Sequence, residues 1–134
     1  MEKNRYVIAA DIGGSHITAA VVDLRDKLIL TDSYCRSAID AQGYAGDIIN
    51  KWVDNLRLSC QESGLQPDRL SIAMPSPFDY DKGISYMLEN SKYKTLYGLN
   101  IKDLLSEQLG IASADILIKN DTACFLAGEM FAVL

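Results

Sequence analysis

The stretch IAADIGGSHITAAVVD, residues 8–23, constrains the fold more than any other part of the chain. Two apolar, β-prone runs flank the adjacent glycines Gly13 and Gly14. That pattern predicts an antiparallel hairpin. The first run, RYVIAA at 5–10, is almost wholly apolar, as expected of a central strand buried on both faces. A tight turn needs glycine; it does not need Asp11 at the end of the first run. After the glycines the residues alternate as in a strand, so the strand–turn–helix fingerprint of dinucleotide-binding folds is excluded.

The remaining elements follow from periodicity and punctuation. LILTDSYC at 28–35 reads as a third strand after a turn at Asp26-Lys27. Tyr44, Ile48, Trp52, Val53, Leu56 and Cys60 recur at helical spacing over roughly 41–63, with Gly64 and Pro67 as stop signals. RLSIAM at 69–74 is a fourth strand, PSPFDYDKG at 75–83 a proline-bearing loop, and ISYML at 84–88 a short strand or hairpin arm. Asn100 is a good N-cap for a second helix at 101–109, closed by Gly110. ADILIK at 114–119 is a fifth strand, and a third helix is predicted from Asp121 to the end. The order βββαβαβα predicts an α/β domain with a five-stranded mixed sheet and helices on both faces.

Composition narrows the function. With 49% hydrophobic and 23% charged residues, the 134-residue chain is expected to form an ordinary globular domain. A net charge of −5 and the absence of a basic run argue against nucleic acid or an anionic membrane as partner. No apolar stretch is long enough to span a bilayer. Cys35, Cys60 and Cys124 are odd in number and widely spaced, which suggests apolar filler in a reducing, cytoplasmic setting rather than a disulfide framework. The apolar, uncapped end CFLAGEMFAVL reads as the middle of a larger protein, and its uncovered surface predicts self-association.

Three places can hold chemistry. Asp11 with Gly13, Gly14 and Ser15 offers amides that cradle phosphate and a carboxylate that suits Mg²⁺ through water; a plain hairpin with a turn aspartate is the alternative. Asn120 and Asp121 end the fifth strand, where a carboxylate can take a proton from a substrate hydroxyl or simply cap a helix. The loop 74–93 carries Ser76, Asp79, Asn90 and Ser91, polar groups able to bind a polyol or merely to face solvent. His16 is the sole histidine, so neither a histidine metal site nor a Ser-His-Asp set is supported.

DIGGSHITAAVVD resembles the first phosphate motif, D-x-G-G-T/S-x-x-x-x-x-x-x-D, of the sugar kinase/Hsp70/actin-like superfamily. PSPFD…G followed by NDTACFLAGE is similar to the ROK family of sugar kinases and related repressors, in the right order from about residue 5 onward. The resemblance implies a ribonuclease H-like (actin-like ATPase) domain, the first of two lobes, spanning 1–134. It implies that Asp11 is the Mg²⁺-associated carboxylate and that Gly13, Gly14 and Ser15 lie along the phosphates of ATP. Asn120 and Asp121 would hold the sugar, with Asp121 as the base for the attacking hydroxyl. Asn90 matches a loop asparagine near the sugar, and Glu129 the Gly-Glu pair, read as structural or inter-lobe. Met74 stands where glycine is usual, His16 replaces lysine or asparagine, and Thr122-Ala123-Cys124 replaces Ala-Asn-Ala. The zinc site and adenosine pocket of the family would lie in a second lobe. The implied activity is transfer of the γ-phosphate of ATP to a hexose or N-acetylhexosamine. Two rivals are a sugar-sensing repressor of the same family, whose winged-helix domain would have to precede residue 6, and a standalone sugar- or protein-binding module.

Overall fold

A computed structural model describes residues 5–88 and 92–120. The expected hairpin forms from β1 (Tyr6–Ile12) and β2 (His16–Asp23), in register from Tyr6 opposite Asp23 to Ile12 opposite Ile17. The predicted third strand is broken. It comprises β3 (Leu28–Ile29), a 3-10 turn at Thr31–Ser33, and β4 (Cys35–Ala38). Both pieces pair with β2, β3 at its far end and β4 at its near end. Ser33 explains the step: its hydroxyl accepts the Val21 amide at 2.7 Å and donates to the Leu30 carbonyl. A side chain thus takes a ladder position that the backbone vacates.

The long helix α1 (Ala45–Ser63) starts later than its periodicity suggests. Tyr44 is its N-cap and is exposed, not core. Two polar residues on the inner side of α1 tie down the broken edge: Ser59 donates to the Ser33 carbonyl at 2.7 Å, and Asn55 donates to the Ser37 hydroxyl at 2.8 Å. Gly64 ends the helix in the left-handed conformation, φ 71°. Strand β5 (Leu70–Met74) then runs parallel to β1. The loop after it contains a small hairpin: β7 (Ile84–Ser85) is the expected short arm, and its partner β6 (Phe78–Asp79) lies within the stretch read as loop on account of its two prolines. It fits because the pairing starts beyond Pro77. Helix α2 (Ile101–Leu109) is capped by Asn100, whose side chain accepts the Asp103 amide at 3.0 Å. Strand β8 (Ile116–Asn120) closes the sheet, parallel to β5.

The main sheet therefore has the spatial order β3-β2-β1-β5-β8, with β4 beside β3 on the β2 edge. Ile8, Ile12, Ile17, Ile72 and Ile118 point to one face and join Trp52, Leu56, Ile101 and Leu105 in one core. Both described helices lie on that face. The expectation of helices on both faces is thus met on one only among the described residues; the predicted third helix lies outside them. On the other face Asp11 and Leu117 are exposed and Ala9, Thr18 and Ala20 are half-buried. No helix among the described residues is long and apolar enough to cross a membrane.

Candidate functional site

Because β1, β5 and β8 run parallel, their carboxyl ends lie along one edge of the sheet. In open α/β sheets that is the edge where ligands gather. Register places Asp11 opposite Ala73, Ala73 opposite Lys119, and Met74 opposite Asn120. Asp11 and the end of β8 are therefore two strand spacings apart, about 10 Å. Asn90 and Asp121 lie outside the described residues.

Asp11 is exposed, on the face that carries neither of the described helices. Among the described residues its carboxylate has no hydrogen-bond or ion-pair partner. It borders a shallow depression shared with Gly13, Thr18, Ala20, Tyr34 and Ala73. Among the described residues no cluster of three or more ligating side chains forms, so a divalent ion at Asp11 would have one protein carboxylate and would draw its other ligands from water or from a bound substrate.

The glycine turn is more specific than its sequence indicates. The Gly13 amide is already occupied, donating to the His16 carbonyl at 2.9 Å. It closes the hairpin and is not free for an anion. The amides of Gly14 and Ser15 have no partner among the described residues. Neither glycine takes a positive φ. Glycine at 14 is instead a matter of space: a Cβ there would lie 2.5 Å from Lys92 Nζ. Ser15 Oγ and His16 Nδ1 are 2.8 Å apart, so histidine orients the serine hydroxyl.

The loop after β5 meets this turn. Gly14, Pro75, Ser76, Pro77, Lys92 and Tyr93 line one cleft of about 280 Å³. Gly14 and Ser76, predicted to serve different ligand groups, thus face the same space. Asn120 is held at the neighbouring strand end: it donates to the Tyr80 hydroxyl at 3.2 Å, and Tyr80 donates to the Met74 carbonyl at 2.9 Å. Tyr80, Lys92 and Tyr93 carry no motif and do not stand out in the sequence; only the tertiary structure brings them to the strand ends. The two described cysteines, Cys35 and Cys60, are buried and unbridged, and burial pushes both thiols up, as suits inert filler.

No family model matches the sequence, and no curated protein matches it. Solved structures do match. One is a ROK family glucokinase from Streptomyces griseus, solved with glucose and AMPPNP, at 22% identity and TM-score 0.69, over 87% of this chain and 33% of that one. Another is a putative N-acetylmannosamine kinase from Listeria monocytogenes, at 19% identity and TM-score 0.68, over 94% and 38%. A ROK family transcriptional regulator matches at 18% identity and TM-score 0.69, over 94% and 30%. This chain thus spans about a third of the length of these proteins. It has the fold of the matching portion of ROK proteins, a fold that kinases and a regulator share.

Proposed function

We propose that these residues form the N-terminal, ribonuclease H-like lobe of a ROK-type carbohydrate kinase, which transfers the γ-phosphate of ATP to a hydroxyl of a hexose or N-acetylhexosamine. One observation carries this reading. A free carboxylate, two open amides, the Ser76 loop and the Asn120 strand end lie along one edge of one sheet.

In this mechanism the amides of Gly14 and Ser15 hold phosphate oxygens of ATP. Asp11 would hold Mg²⁺ through water. The ion, when bound, offsets charge on the transferring phosphoryl. Ser76, Asn90 and Asn120 bind sugar hydroxyls, with Tyr80 fixing the Asn120 amide. Asp121 accepts the proton of the attacking hydroxyl. Most of the acceleration is positioning and electrostatics.

The test is a panel of hexoses and N-acetylhexosamines offered to the full-length protein with ATP and Mg²⁺, following ADP release. At least one sugar should stimulate release. Asp121→Asn should lower turnover about 10²- to 10⁴-fold, the range of general-base assistance, with unchanged melting. Near-normal turnover of that variant removes Asp121 from the base role. Sugar binding without ADP release would move the protein to the sugar-sensing class of the regulator it also matches in fold.

A further inference from the structure

Two neighbouring residues have no part in the mechanism above, and their geometry is unusual. Tyr93 is 1% exposed, yet its φ is 56°. A bulky side chain in the left-handed region is a genuine outlier, kept only where its surroundings hold it. Three contacts hold Tyr93. Its hydroxyl donates to the Gly13 carbonyl. Its amide donates to the Ala41 carbonyl at 2.7 Å. Its ring packs on Trp52 with centroids 5.4 Å apart. Burial pushes the phenol up to about 12, so it stays a donor at any physiological pH.

The consequence falls on residue 92. With Tyr93 anchored, Lys92 stands over the glycine turn, its ammonium in the space that a side chain at 14 would fill. Among the described residues, Lys92 is the one charged residue lining the cleft it shares with Gly14 and Ser76. Among the described residues no carboxylate pairs with it. The Lys92 ammonium therefore lies beside Gly14, whose amide, like that of the adjacent Ser15, has no partner among the described residues. That combination recognises a phosphate group: the amides supply directed donors and the ammonium supplies charge.

We propose that Lys92 binds the terminal phosphates of the nucleotide at this turn and stabilises their charge during transfer, and that Tyr93 is the positioning residue that aims both Lys92 and the Gly13–Gly14 peptide. The proposal rests on the kinase reading and deepens it. Lys92 neither gives nor takes a proton. The substrate hydroxyl oxygen bonds to the γ-phosphorus, the bond from that phosphorus to the bridging oxygen breaks, ADP leaves, and the hydroxyl proton goes to Asp121. The ammonium balances charge throughout.

The experiment compares Lys92→Met, Lys92→Arg and Tyr93→Phe with the wild type in the full-length protein, using ATP with Mg²⁺, a neutral sugar and a carboxylate-bearing sugar. Lys92→Met should weaken use of ATP about tenfold or more, the loss typical of a charge-assisted contact. It should flatten the salt dependence of the KM for ATP and leave the KM for neutral sugar unchanged. Arginine should restore most of the loss. Tyr93→Phe should shift the KM for ATP in the same direction by less, with its melting temperature recorded to separate positioning from folding. A Lys92→Met enzyme with unaltered ATP kinetics overturns the assignment while the kinase reading stands. A loss confined to the carboxylate-bearing sugar also overturns it, because the ammonium would then read the acceptor. Absence of ADP release from wild type overturns both.

Discussion

The two ends of the β1–β2 hairpin carry the same kind of residue in opposite circumstances. At the end where β1 begins, Asp23 is buried and fully engaged. Arg5 holds it with two hydrogen bonds, at 2.8 and 3.1 Å, and the Arg25 amide adds a third at 3.0 Å. At the end where β1 finishes, Asp11 is exposed and has no partner among the described residues. Both aspartates lie within the motif that the resemblance rests on, yet one is architecture and the other is available for ligand. The difference teaches how to sort the charges of this fold. A carboxylate satisfied by its own chain cannot also serve a metal; one left open beside free amides can.

The strongest way to break this contrast is Asp11→Asn in the full-length protein. Phosphorylation should fall about a hundredfold or more, the scale of losing one electrostatic contributor to a transition state. The melting temperature should not change. A stability loss instead would make Asp11 architectural after all. The mirror experiment, Asp23→Asn, should lower the melting temperature by several degrees and leave the KM for ATP and for sugar alone, since it removes the charge that accepts two hydrogen bonds from Arg5 at a buried position.

The same pair has a pH signature. The Arg5 hydrogen bond, chiefly, pushes the Asp23 carboxyl down to about 2 from 3.8. A depressed carboxyl stabilises the fold above its unfolded value and loses that stabilisation as pH falls through the folded one. Wild-type melting should therefore decline between pH 4 and 2, and this part of the decline should be absent from Asp23→Asn. The smallest effect is expected from Ser15→Ala. It removes the hydroxyl near His16 Nδ1 but keeps the Ser15 amide, so the KM for ATP should rise only a few-fold. A loss as large as that of Asp11→Asn would mean that the hydroxyl, not the amide, is the working group.

The hairpin, α1, α2 and the parallel strands were legible because each has a local cause. Alternation and apolar runs mark the strands, 3.6-residue spacing marks the helices, and Gly64, Asn100 and Gly110 mark their ends. The break in the third strand was not legible. It depends on Ser33 taking a ladder position beside Val21 and on Ser59 reaching across from α1, and neither contact leaves a periodic trace. Tyr44 misled for a related reason: it falls on the apolar stripe by spacing, but the helix begins after it.

The sequence alone determined where a carboxylate, a glycine turn and the polar loop would occur along the chain, because turn chemistry and strand burial are local properties. Tertiary structure decided which of those groups are free. It committed the Gly13 amide to His16, left those of Gly14 and Ser15 open, and carried Lys92 and Tyr93 across the cleft to them. The physical reason is that availability is a property of what surrounds a group in space, and residues 13 and 93 become neighbours only when the loop after β5 folds back over the strand ends.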